Sequence, residues 1–139
     1  MESKNIFFDT NILVYAFDKA YNKKQEIAKV LIAESIKKGN GNISTQVLQE
    51  FYVVATKKLD ILPELALTAM DSFEPLNIVT ITSDMIRLAI KKQSKFLISF
   101  WDAVILQAAE TSLCTVLYTE DLNHGQMFNS VKVVNPFKE

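Results

Sequence analysis

Cysteine, histidine, glycine and proline are all scarce in this chain, and each scarcity closes off a class of explanation. One cysteine, Cys114, cannot form an internal disulfide, and within a strand-like run it reads as a small buried hydrophobe, neither bridge nor ligand. One histidine, His124, sits between Asn123 and Gly125 in a loop setting, where an exposed side chain without a catalytic role is expected. Three glycines and three prolines among 139 residues leave no linker, repeat or low-complexity segment, so residues 1–139 read as one ordered domain. No uncharged apolar run approaches the ~18 residues of a membrane span. Met1-Glu2-Ser3-Lys4 runs directly into a strand pattern, which leaves no room for a signal peptide, so a cytoplasmic protein is expected. GxGxxG, P-loop, HExxH and CxxC spacings are all missing, which weakens nucleotide-binding, zinc-protease and redox readings. Net charge is -1, so no global basic field advertises nucleic-acid binding, although lysines cluster at Lys19, Lys23 and Lys24, at Lys57 and Lys58, and at Lys91, Lys92 and Lys95.

What is present is 49% hydrophobic residues, enough for one well-packed core. Asn5-Ile6-Phe7-Phe8 is apolar without alternation and predicts a buried first strand. A short helix over 11–16 follows, then an amphipathic helix from about Asn22 to Lys38, ended by Gly39. Its expected inward face is Ile27, Val30 and Leu31, with Glu26, Lys29 and Lys37 outward. Ser44 or Thr45 caps a helix through Lys58, and Pro63 starts another to about Ser72. Leu76 to Thr82 reads as a strand, Ser83 or Asp84 as the cap of a helix from Met85 to Gln93, and Ser99 as the cap of Phe100 to Thr111. Thr115 to Tyr118 and Val131 to Val134 are further strands. Helices alternating with short apolar strands predict a three-layer α/β/α sandwich around a central parallel sheet of about five strands. Phe51, Tyr52, Phe96, Phe100 and Trp101 are expected in the core. The helix Phe100 to Ala109, and surfaces near Tyr52 or Phe73, offer places for a homodimer contact.

Against that background four carboxylates stand out. Asp9 ends the run Ile6-Phe7-Phe8, Glu50 interrupts the apolar stretch Val47 to Val54, Asp102 opens the most apolar helical pattern, and Asp121 follows Val116 to Thr119. Charged side chains are rarely placed beside buried segments unless paired or bound to metal. Simpler roles exist: Asp9 and Asn11 suit an Asx-turn or helix cap, Ser99 to Asp102 has the form of a capping box, and Asp121 suits a turn. Glu50 is hardest to explain that way, while Glu120 reads as solvated. In parallel α/β sheets ligands bind outside the carboxyl ends of the strands, and all four acids fall near one such edge. Gathered there, they form an all-oxygen site for a hard divalent cation, which points to metal-dependent chemistry on phosphate esters.

Four stretches, Phe8-Asp9-Thr10-Asn11, Ser44 to Phe51, Phe100-Trp101-Asp102-Ala103 and Leu117 to Gly125, occur in an order that resembles the PIN-domain family, especially its VapC-like toxin ribonucleases; Asn135-Pro136-Phe137 closes the likeness. The resemblance implies a metal-dependent endoribonuclease using Mg²⁺ or Mn²⁺, with Asp9, Glu50, Asp102 and Asp121 at the family's acidic positions. Asn11 and Thr119 match its supporting polar positions, and Asn123 stands where a further Asp is frequent. It also implies an RNA substrate and a small antitoxin partner. A haloacid-dehalogenase-like phosphatase is a rival, but Asp9-Thr10-Asn11 lacks that family's second acid. A non-catalytic binding module is another, although it would have no need of four costly charges.

Overall fold

Phe7 and Phe8 are neighbours in one strand and both have no exposed surface. Because successive strand residues face opposite ways, the strand must be covered on both sides. The computed structural model, which describes residues 4–138, builds that cover from helices. Met1, Glu2 and Ser3, on which part of the N-terminal expectation rests, lie outside the described residues.

The strands are β1 (Ile6–Phe8), β2 (Gly41–Ser44), β3 (Asn77–Val79), β4 (Val116–Tyr118), β5 (Met127–Phe128) and β6 (Val131–Val134). The helices are α1 (Thr10–Tyr15), α2 (Asn22–Lys38), α3 (Thr45–Lys57), α4 (Pro63–Asp71), α5 (Ser83–Phe96) and α6 (Phe100–Thr111). Sheet order is β3-β2-β1-β4-β6-β5. The first five strands in that order pair in parallel, as expected, and the short edge strand β5 adds an antiparallel sixth. Strand order reverses between β1 and β4, so a crevice is expected beyond their carboxyl ends.

Local chemistry explains most of the boundaries. Ser44 Oγ accepts from the Val47 N–H (3.3 Å) and Ser99 Oγ from the Asp102 N–H (3.1 Å), capping α3 and α6. Gly39, at φ 70°, closes α2 in the left-handed region. Thr82, not Ser83 or Asp84, caps α5, because its hydroxyl accepts from the Met85 N–H (3.2 Å) and the helix therefore begins at Ser83. The buried stripe of α2 runs through Ala28, Ile32 and Ser35, and Val30 is 50% exposed. The expected face was therefore rotated: small residues let the helix lie close to the sheet, and Ile27 and Leu31 sit at its margins.

Phe17, Phe51 and Phe73 meet edge to face, at 5.7 Å between Phe17 and Phe51 and 5.1 Å between Phe51 and Phe73. Phe73 is thus core and unavailable as a dimer surface. So is most of α6, where Ala103 to Ala109 are all buried. Phe51 is core as expected, but Tyr52 and Trp101 are exposed and Phe96 and Phe100 only half-buried. No helix among the described residues is long and apolar enough to cross a membrane.

Candidate active site

The carboxyl end of β1 places Asp9 at the mouth of the crevice as the N-cap of α1, so its capping role and its position in the site coexist. The carboxylate is nearly enclosed. Its Oδ1 accepts from the Thr10 N–H (2.7 Å) and its Oδ2 from the Thr119 hydroxyl (2.8 Å). Thr119 directly follows β4 and has no exposed surface. Its oxygen also accepts from the Asp121 N–H (3.1 Å) and from Asn11 Nδ2 (3.4 Å), while Asn11 Oδ1 accepts from the Glu120 N–H (3.4 Å). One buried hydroxyl therefore ties the end of β4 to Asp9 and sets the path of the chain through Asp121.

Glu50 reaches the crevice from the second turn of α3, where its Oε1 accepts from the Thr10 hydroxyl (3.2 Å). Asp102 comes from the first turn of α6, beneath the Ser99 cap. Asp9, Glu50, Asp102 and Asp121 all line one cleft of ≈ 330 Å³, open on one side. Four segments far apart in sequence thus deliver one carboxylate each to a single concavity. Asn123 does not line the cleft; its exposed amide donates to Gln126 Oε1 (3.2 Å). His124 is exposed, and its Nδ1 accepts from the Asn135 N–H (3.0 Å).

Crowding and burial act together on these acids. Burial pushes Asp9 from 3.8 up to about 7 against the pull of its two hydrogen bonds, and the negative charges of Asp121 and Glu50 push the same way. Glu50 is raised by burial first, with bonds from Thr10 and Gln46 opposing and Asp102 and Asp121 adding to the rise. Asp102 is raised by burial, opposed by Ser99 and reinforced by Asp121. The charges acting most strongly on all three are other carboxylates. Such a group is short of positive charge, and an all-oxygen donor set matches a hard cation such as Mg²⁺ or Mn²⁺. Among the described residues, no three acidic, histidine or cysteine side chains stand close enough to grip one ion together. The donor chemistry fits a divalent ion, while closure of the carboxylates around it would need side-chain movement.

Sequence reasoning missed several residues of the cleft wall. Gln46 lies one turn before Glu50 on α3, a spacing that puts both on one face; it is buried, and its Nε2 donates to the Trp101 carbonyl (3.2 Å). Glu120, expected to be solvated, is half-buried. Burial works against its charge, but Lys24 (2.5 Å) and the Tyr15 hydroxyl (2.7 Å) both donate to it and hold its carboxyl below the ordinary value. Lys58 and Trp101 also face the cleft. The helical spacing of Gln46 and Glu50 was a readable signal; the pairing of Lys24 with Glu120, 96 residues apart, was not.

A family model for the PIN domain matches residues 6–128. Among solved structures, the chain resembles VapC20 of Mycobacterium tuberculosis, described as a sarcin–ricin loop cleaving toxin, at 20% identity and a TM-score of 0.69, covering 84% of this chain and 90% of that one. It resembles a chain of a toxin–antitoxin complex from Klebsiella pneumoniae at 21% identity and a TM-score of 0.71, covering 97% and 100%. It resembles a chain of DNA-bound VapBC from Salmonella typhimurium at 17% identity and a TM-score of 0.68, covering 94% and 97%. At these identities the likeness establishes the fold. No curated protein sequence matches the chain.

Proposed function

The chain belongs to the PIN-domain family, whose members typically use a divalent metal, and from that premise we propose that it is a metal-dependent endoribonuclease and the toxin of a type II toxin–antitoxin pair. The observation that carries the nuclease reading is the convergence of Asp9, Glu50, Asp102 and Asp121, from four separate segments, on one cleft. The toxin reading draws on the resemblance to toxin–antitoxin structures. Residues 1–139 would act as a single nuclease domain in the cytoplasm.

In this reading Asp9, Asp102 and Asp121 hold the ion, and Glu50 completes its shell or orients the attacking water. Mg²⁺ or Mn²⁺, when bound, supplies neutralising charge for the phosphodiester and acidifies a bound water. Thr119 and Asn11 keep Asp9 and the β4 end in place. Lys58, on the same wall, attracts a flanking phosphate. Asn123, with its amide turned toward Gln126, would contribute by shaping the loop after Asp121. A small antitoxin would inhibit by covering the cleft, and a homodimer would use exposed surface such as Tyr52.

The test is cleavage of cellular RNA by the full chain, with the new ends sequenced. Cleavage should disappear with EDTA and in Asp9→Asn; undiminished cutting by that variant would remove the proposed site. Growth arrest on expression should need Asp102 and be relieved by co-expressing the product of an adjacent short reading frame. RNA cleavage without growth arrest would instead favour a role in general RNA processing.

A further inference from the structure

α6 buries seven successive residues, Ala103 to Ala109, yet Trp101, two positions earlier, leaves 63% of its surface open. Tryptophan is on average well covered, so an exposed indole calls for a reason. The Trp101 backbone is fixed, and its ring has an aromatic neighbour. The Phe100 ring meets it edge-on at 5.1 Å and 70°, and Phe100 itself packs on the Ala89, Ala103 and Val104 cluster. The Trp101 carbonyl accepts from Gln46 Nε2 (3.2 Å), and the following N–H, of Asp102, is capped by Ser99 (3.1 Å). The exposed surface also has an address, since Trp101 lines the cleft of the four carboxylates and directly precedes Asp102. Tyr21, 52% exposed, lines the same cleft from the connection between α1 and α2.

An open ring on a fixed backbone beside a site for phosphodiesters matches the way proteins hold unpaired nucleotides, whose bases stack on aromatic faces regardless of sequence. In a duplex the same base faces are already occupied by their neighbours. We propose that Trp101 stacks an unpaired base next to the scissile phosphate and so makes the cleft selective for single-stranded over duplex RNA. This rests on the nuclease reading and assigns that site a specificity-determining residue.

Trp101 is the only tryptophan, so intrinsic fluorescence reports on it alone. The experiment titrates full-length Glu50→Gln protein, in which turnover is slowed, with a short end-labelled single-stranded RNA in the presence of Mn²⁺. Tryptophan emission and label anisotropy are read together. Saturable quenching that tracks the anisotropy, and is much weaker with the duplex form, supports the proposal. In the Glu50 wild-type background, Trp101→Ala should raise KM about 5- to 150-fold, the range for losing one stacked base, with kcat nearly unchanged. Trp101→Phe, which keeps a ring, should recover most of the loss; melting curves of both variants confirm that they fold. RNA that binds by anisotropy without changing the emission, or a Trp101→Ala enzyme with unaltered KM, overturns stacking and leaves the nuclease reading standing. So does a Trp101→Ala chain that cuts normally but escapes a protein inhibitor, which would make the ring a partner contact. No binding and no cleavage by the wild-type chain overturns both.

Discussion

Replacing Asp9 by asparagine should stabilise the metal-free protein at high pH and leave it nearly unchanged at low pH. The carboxyl is 6% exposed and its pKa rises from 3.8 in the open chain to about 7 in the fold, mainly through burial. Between those values the folded chain keeps a proton that the unfolded chain has released, so stability falls as pH rises through that window. At 1.36 kcal/mol per pH unit, ionised Asp9 costs the metal-free fold about 4 kcal/mol by roughly pH 8. Asparagine is never charged and escapes that cost. The bonds from Thr10 N–H and Thr119 Oγ1 to the carboxylate are already contained in the raised pKa, and below it the protonated carboxyl, like the amide, offers one carbonyl acceptor and one donor. The net expectation is little change near pH 4 and a gain of about 4 kcal/mol near pH 8. Urea unfolding of both proteins in EDTA across that range measures it, with the m-value checking that the unfolding transition is comparable. Adding Mg²⁺ should then stabilise the wild type and leave the variant nearly unmoved. A difference that stays constant from pH 4 to pH 8 would refute the account of a desolvated, repelled carboxylate. Equal stabilisation of both proteins by Mg²⁺ would refute the place of Asp9 in the ion site.

Thr119→Val removes the donor to Asp9 Oδ2 and the acceptor for Asp121 N–H at one fully buried position. It should cost about 1–3 kcal/mol and, because that bond lowers the Asp9 pKa, shift the acid limb of the cleavage profile to higher pH; an unmoved limb would contradict the role given to the hydroxyl. Glu50→Gln keeps the side-chain shape but removes the charge, so RNA cleavage should fall about 10²- to 10⁴-fold with the fold intact by circular dichroism. Gly41→Ala would set a Cβ 2.5 Å from Ser35 Oγ and 2.6 Å from Leu76 Cδ2. Both neighbours are buried, so the substitution should cost about 1–3 kcal/mol in urea unfolding, while the distant cleft keeps its activity below the melting transition.

The sequence was most informative where one residue has to satisfy one strong local rule. Ser99 had a helix to cap and Gly39 a helix to end, and both boundaries fall where those residues stand. Short-range rules were less decisive where two neighbours could serve. Thr82 caps α5 in place of Ser83 or Asp84, since the hydroxyl three residues before the Met85 N–H is the one within reach. The buried face of α2 differs from the expected one because the small residues Ala28 and Ser35 allow a closer approach to the sheet than the large apolar residues that define the expected face. Strand β5, two residues long, carried no periodicity to read.

The cleft shows the same division at longer range. Acids in apolar surroundings are visible in sequence because their desolvation is costly wherever the chain puts them. The rim is not visible in that way: Trp101 has the composition of a core residue, and only its position at the first turn of α6, at the edge of the crevice, leaves it open. Likewise Glu120 became a partner of Lys24 only because α2 and the end of β4 meet. Charge that must be compensated can be found from local context, whereas exposure depends on which elements end at the same edge of the sheet. The acids that would bind the metal were therefore nameable before the fold was seen, and the ring that would choose its substrate was not.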